Sequence, residues 1–229
     1  MSLCELGANS GIWSLDKPFL LGPGVELGTR TTIVKLADGS LLVHAPAELS
    51  DADVSEIAAL GPVRTLIAPN AFHHLFLERA IEAFPGAALH AAPSVIAKYP
   101  NMVATPLSEK PAPAWEGQLD QLYVEGAPRL DEFVFFHSAS RTLLLVDLCF
   151  NLQKGTRMRT RVMLTLLGAW RRFGPSRLAR SMFKEKAAVR ASVDQILNWD
   201  FDRVVVTHGE IIEANGRERL REVFEWMKA

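Results

Sequence analysis

Short apolar runs alternating with helical stripes predict an α/β layered fold for this chain of 229 residues. Three observations carry that expectation. Val63–Ile67 and Ala87–His90 are short β-type runs, each followed by a helical pattern. Asp38-Gly39 marks a hairpin between two strand-like segments. Arg203-Val204-Val205-Val206 is a strongly β-type run that ends in Thr207-His208-Gly209.

In chain order, Leu27–Lys35 reads as a strand because Thr31, Thr32, Ile33 and Val34 are β-branched. Leu41–Val43 returns after the Asp38-Gly39 turn. Ser50 with Asp53 three residues on caps a helix whose face holds Val54, Ile57, Ala58 and Leu60; Gly61-Pro62 ends it. After Val63–Ile67, the loop Ala68–His74 leads to a second helix carrying Leu77, Ala80, Ile81 and Phe84, stopped by Pro85-Gly86. A brief helix is expected near Ser94–Lys98, and residues 100–117 read as a loop. Gln121–Val124, Glu132–His137 and Thr142–Asp147 read as three more strands, with Ser138–Arg141 turning between the last two. A helical pattern from 154 onward breaks at Gly174-Pro175 and resumes with Leu178, Met182, Val189, Val193, Ile196 and Leu197. A C-terminal helix presents Leu220, Val223, Phe224 and Met227. No domain boundary stands out, so one domain over 1–229 is expected, with a basic helical insertion at about 154–198.

Composition narrows the classes. With 48% hydrophobic and 22% charged residues, the chain is neither disordered nor fibrous. The longest apolar candidate, Val162–Trp170, is far short of the roughly 18 residues a spanning helix needs. The first residues, MSLCELGANSG, carry no basic start before an apolar stretch, so a cytoplasmic location is expected. Cys4 and Cys149 are too few for a disulfide framework or a four-thiolate metal site. The net charge of −1 hides an asymmetry: Lys154–Arg190 carries about +10 and the remainder about −11.

Polar chemistry gathers at strand ends. His44 follows Leu41–Val43, His73 and His74 follow Val63–Ile67, Asp147 closes Leu143–Val146, and His208 follows Val204–Val206. In layered α/β folds, ligands bind outside the carboxyl ends of strands. Imidazoles and a carboxylate converging there suit zinc, iron or manganese. An Asp at the end of an apolar strand has no packing reason to be there.

The order of these elements resembles the metallo-β-lactamase fold superfamily, a four-layer αββα sandwich, and more narrowly a divergent branch of the DUF4336 type. The family motif runs H-x-H-x-D-H, then a single His, an Asp and a last His. Here Pro69 and Ala71 fall where the first two histidines would be, and His73 falls where the family has Asp. No histidine stands near Gly126-Ala127, where the middle one would be, and His137 reads as a strand residue. His44 replaces an Asp that ends the second hairpin strand. The resemblance implies that the first metal position is lost and the second is kept by His73, His74, Asp147 and His208. It implies one divalent metal, with zinc first and iron or manganese as alternatives. The chemistry implied is hydrolysis of an ester, thioester, amide or phosphoester in a small-molecule substrate. His44 would be a partner of a ligand imidazole. The alternative is a degenerate member serving as a binding or interaction module, with no metal.

In the basic segment, Arg157, Arg159, Arg161, Arg171 and Arg172 lie around Met158, Val162, Met163, Leu166, Leu167, Trp170 and Phe173. Three readings stay open: recognition of an anionic substrate, peripheral contact with a membrane surface, and a solvated face with a homodimer contact. No aromatic-basic strand motif supports nucleic acid.

Overall fold

The structure is a computed structural model that describes residues 3–154 and 157–227. Its strands are β1 (Cys4–Glu5), β2 (Ile12–Lys17), β3 (Leu20–Gly22), β4 (Val25–Glu26), β5 (Thr29–Lys35), β6 (Leu41–His44), β7 (Val63–Ala68), β8 (Ala88–Ala91), β9 (Thr105–Pro106), β10 (Leu119–Tyr123), β11 (Phe133–His137), β12 (Thr142–Leu145), β13 (Phe150–Asn151), β14 (Phe173–Gly174) and β15 (Arg203–Val206). The helices are α1 (Asp51–Leu60), α2 (Leu77–Ala83), α3 (Pro93–Lys98), α4 (Met158–Leu166), α5 (Arg177–Ser181), α6 (Lys186–Ile196) and α7 (Gly216–Phe224), with a final 3₁₀ turn at Glu225–Met227.

Two larger sheets form the centre. One has the order β1-β2-β5-β6-β7-β8-β9 and the other β10-β11-β12-β15. Alternation along the second sheet shows how the layers pack. Phe133, Phe135, Leu144 and Val205 join the core of the first sheet. Their neighbours Val134, Phe136, Leu143, Leu145, Val204 and Val206 join a second core with Val189, Val193 and Ile196 of α6 and Leu220 and Phe224 of α7. Successive side chains on a strand point to opposite faces, so this sheet is covered on both sides. That explains why its strands read as unbroken apolar runs.

The capping box at α1 forms as expected: Ser50 accepts from Asp53 N, and the Asp53 carboxylate accepts from Ser50 N at 2.7 Å. Besides several strands of two or three residues, one of them (β9) within the expected loop 100–117, one longer strand was not anticipated. β2 pairs antiparallel with β5 from Ile12↔Val34 to Lys17↔Thr29. The basic segment is not one interrupted helix; its described residues hold α4, α5 and α6, with β14 pairing β13 between the first two. Among the described residues, no helix is long and apolar enough to cross a membrane.

Two features position the site. β6, β7 and β8 run parallel, so their carboxyl ends share one edge. β12 and β15 are also parallel, with Leu145↔Val206 in register, so Asp147 and His208 emerge side by side. Backbone bonds then tie the sheets together at that edge: Phe133 N donates to Pro69 O (2.9 Å) and Ala71 N to Leu130 O (3.1 Å).

Candidate metal centre

The segments that leave β7, β12 and β15 bring three side chains to one point. His73, Asp147 and His208 each offer a ligand atom, and these atoms lie within 4.8 Å of one another. His73 Nε2 is 3.3 Å from Asp147 Oδ2, and His208 Nε2 is 3.6 Å from Asp147 Oδ1. The two imidazole rings are 5.2 Å apart.

Each member is held from behind. His208 Nδ1 is 2.6 Å from Gly28 O. A carbonyl only accepts, so Nδ1 carries the proton and Nε2 presents its lone pair toward Asp147. Asn70 Nδ2 donates to Asp147 Oδ2 at 2.7 Å, while Asn70 Oδ1 accepts from the backbone of Phe72 (3.0 Å) and His73 (2.9 Å). One buried amide therefore sets both the carboxylate and the turn that carries His73.

Beneath them lies Glu132, wholly buried. It accepts from three successive backbone amides, Val146 (2.9 Å), Asp147 (2.8 Å) and Leu148 (2.9 Å). Burial and the Asp147 charge push its carboxyl up to about 8, against those three donors. Asp147 goes the other way. Burial would raise it, but the His73 and His208 imidazoles and the Asn70 bond bring it down to about 2. Burial also lowers His208, only partly offset by Asp147. A neutral imidazole beside an ionised carboxylate is the protonation state a metal requires.

Asn70 and Glu132 were not singled out as site residues. Nothing local marks them: Glu132 gains its role only when the fold carries residues 146–148 to it.

His74 is elsewhere. Lys98 Nζ is 2.9 Å from His74 Nε2, and Tyr99 Oη is 3.0 Å from His74 Nδ1. An ammonium only donates, so Nε2 accepts and Nδ1–H faces the tyrosine oxygen. Both ring nitrogens are engaged by Lys98 and Tyr99, so of the four expected ligands the structure brings together His73, Asp147 and His208 and leaves His74 apart. The turn before α2 explains this: adjacent residues 73 and 74 point to different sides. His44 also departs from expectation. It is buried with its ring 5.3 Å from Phe135, and its Nε2 has no hydrogen-bond partner. Burial, with His73 adding to it, holds it down to about 3, so it is a neutral packing neighbour and not a hydrogen-bonded support.

The three groups open onto a cavity of about 370 Å³ with mainly apolar walls from residues 19–29, 72–76, α4 and α5. Lys98 also lines it. Arg157, Arg159, Arg161, Arg171 and Arg172 do not. Arg157 pairs with Glu26 at 3.8 Å, and Arg161 lies over the Trp170 ring at 5.9 Å. None of the five expected arginines lines this cavity; the basic side chain that does is Lys98.

The αββα layering, and a histidine–aspartate group at the carboxyl edge of both sheets, define a metallo-β-lactamase fold. Residues 9–158 match the family described as Domain of unknown function (DUF4336), and the chain belongs to that family. No curated protein matches the sequence. Among solved structures, the chain is similar to a metallo-β-lactamase from Hirschia baltica, with a TM-score of 0.65 and 16% identity over 99% of this chain and 97% of that one. It is similar to a metallo-β-lactamase from Pontibacter korlensis (TM-score 0.66, 12% identity, 98% of each chain). It is also similar to the metallo-β-lactamase FIM-1 from Pseudomonas aeruginosa in its mono-zinc form (TM-score 0.66, 11% identity, 99% of this chain and 94% of that one).

Proposed function

We propose that this protein is a hydrolase that uses a single divalent metal, zinc foremost, held by His73, Asp147 and His208. One observation carries the reading: three donors, two imidazoles and a carboxylate, meet within 4.8 Å at the floor of a cavity. Structural zinc sites are closed by four protein ligands, whereas catalytic sites keep three and leave a position open. The four-ligand set expected from sequence would have been closed. With His74 turned to Lys98 and Tyr99, a place for water or substrate remains.

When bound there, a divalent ion acts as a Lewis acid and lowers the pKa of a water molecule. The chain's own residues do the rest. The Gly28 carbonyl fixes the His208 tautomer, and Asn70 and Glu132 orient Asp147. Lys98 offers a charged donor to negative charge developing on a substrate oxygen. The apolar walls exclude bulk water. The bond attacked is an ester, thioester, amide or phosphoester of a small molecule.

Metal analysis of protein purified without a histidine tag tests this. We expect close to one equivalent of zinc, iron or manganese, lost in Asp147→Ala and in His208→Ala. Folded protein that takes up none of these metals from solution supports the other reading, a binding module on a degenerate fold.

A further inference from the structure

The cavity above the three ligand candidates is chemically lopsided. Its charged and imidazole groups are few: His73, Asp147 and His208 at the floor, and His74 with Lys98 at one side of the lip. The remaining wall is almost wholly apolar, with Phe150, Leu152, Met163, Leu164, Leu167 and Met182 among its members. Thr29 and Ser176 are also there, the Ser176 hydroxyl accepting from Ala179 N at 3.1 Å. Leu21, Phe72, Leu75 and Leu178 line the cavity and are exposed at 56%, 44%, 60% and 52%, so the apolar character continues to the surface.

These features select a ligand. A sugar or nucleotide entering this space would leave hydroxyls or ring nitrogens without partners along most of its length. A flexible apolar tail finds contacts throughout, and unbranched methionines at 163 and 182 can adapt to it. The volume, about 370 Å³, is within the ordinary range for small-molecule sites. The polar groups then receive a carbonyl-bearing head beside Lys98.

We infer that the cavity is an acyl-chain site, and that the substrate is a free amphiphile with its hydrolysable ester, thioester or amide bond at the junction of head and chain. The placement of that bond rests on the hydrolase reading; occupancy by the chain does not.

The test is isothermal titration of straight-chain fatty acids, from hexanoate to decanoate, into the wild-type protein and the Asp147→Asn variant. Affinity should rise about fourfold per added methylene in both proteins, the factor expected for burying one CH₂. Met163→Glu, which places a charge in the wall, should weaken decanoate binding at least tenfold. Leu167→Trp, which fills the space, should do the same, and it keeps the test decisive if the first variant does not fold. Circular dichroism verifies folding in each. An affinity that does not change with chain length overturns the proposal. So does decanoate binding untouched by a folded wall variant, or chain binding found only with phosphatidylglycerol vesicles, which would mark a membrane surface. A chain-length slope in a protein that takes up no metal would leave the acyl site standing and remove the hydrolase.

Discussion

The floor of the cavity and its lip both contain a histidine from the same dipeptide, yet they are built differently. At the floor, His73 faces Asp147, which is anchored through Asn70 and through the backbone amides that Glu132 gathers. At the lip, His74 meets only Lys98 and Tyr99, two side chains at the end of the six-residue helix α3. The floor is held by backbone from several parts of the chain. The lip is held by side chains from one short helix. Polar groups that the backbone fixes are pre-organised before any ligand arrives, which is what a metal or a reacting bond needs. Groups tied only by side chains can be changed at little cost.

The largest effect should come from the floor. Glu132→Ala leaves three buried amides, at Val146, Asp147 and Leu148, without an acceptor. Each such loss typically costs about 1–3 kcal/mol, so the variant should lose at least about 3 kcal/mol of stability in urea titration. An unchanged midpoint would mean the floor is no better anchored than the lip, and the contrast would fail.

Acidity sharpens the comparison, in protein stripped of metal by chelation. Asp147 is held near 2 in the folded chain against 3.8 ordinarily. A lowered carboxylate stabilises the fold above its unfolded value. That contribution, about 2 kcal/mol, should disappear as the pH falls from roughly 4 toward 2. Glu132 has the opposite sign, because its carboxyl is raised to about 8. Its contribution is complete below about 4.5 and is lost as the pH rises toward 8. Denaturation curves across pH should therefore show Asp147→Asn flattening the acid slope and Glu132→Gln flattening the slope between about 4.5 and 8. If neither variant alters its own window, the two carboxyls are not coupled as the geometry indicates.

Much of this was legible from sequence, for a physical reason. A polar residue that ends an apolar strand stands out because packing does not call for it, and Asp147 and His208 both do so. Strands buried on both faces were likewise visible as apolar runs, as in Leu143–Val146 and Val204–Val206. β2 was not visible: Ile12–Lys17 mixes Ser14, Asp16 and Lys17 into a short run and owes its place to pairing with β5. Glu132 and Asn70 carried no local signal, since their partners are distant in the chain. The His73/His74 choice was also closed to sequence reasoning. Residues one apart outside regular structure have no fixed angular relation, so only the turn before α2 decides which imidazole meets Asp147.

The smallest effect belongs to the lip. His74→Ala removes the two side-chain contacts to Lys98 and Tyr99 and nothing at Asp147. The cost should be about 1 kcal/mol, the usual net worth of such bonds, and Lys98 and Tyr99 can turn to solvent. Bound metal should stay at the wild-type level, because His74 offers no free nitrogen to it. Its pKa, lowered by burial and by the Lys98 charge, keeps the ring neutral and leaves that bond intact at neutral pH. Metal content measured beside the denaturation midpoint separates the two roles. A stable variant with its metal lost would return His74 to the ligand set, close the open position and remove the chemical basis for turnover. A small loss of stability with metal retained keeps the floor at three ligands and leaves the lip free to vary with the substrate.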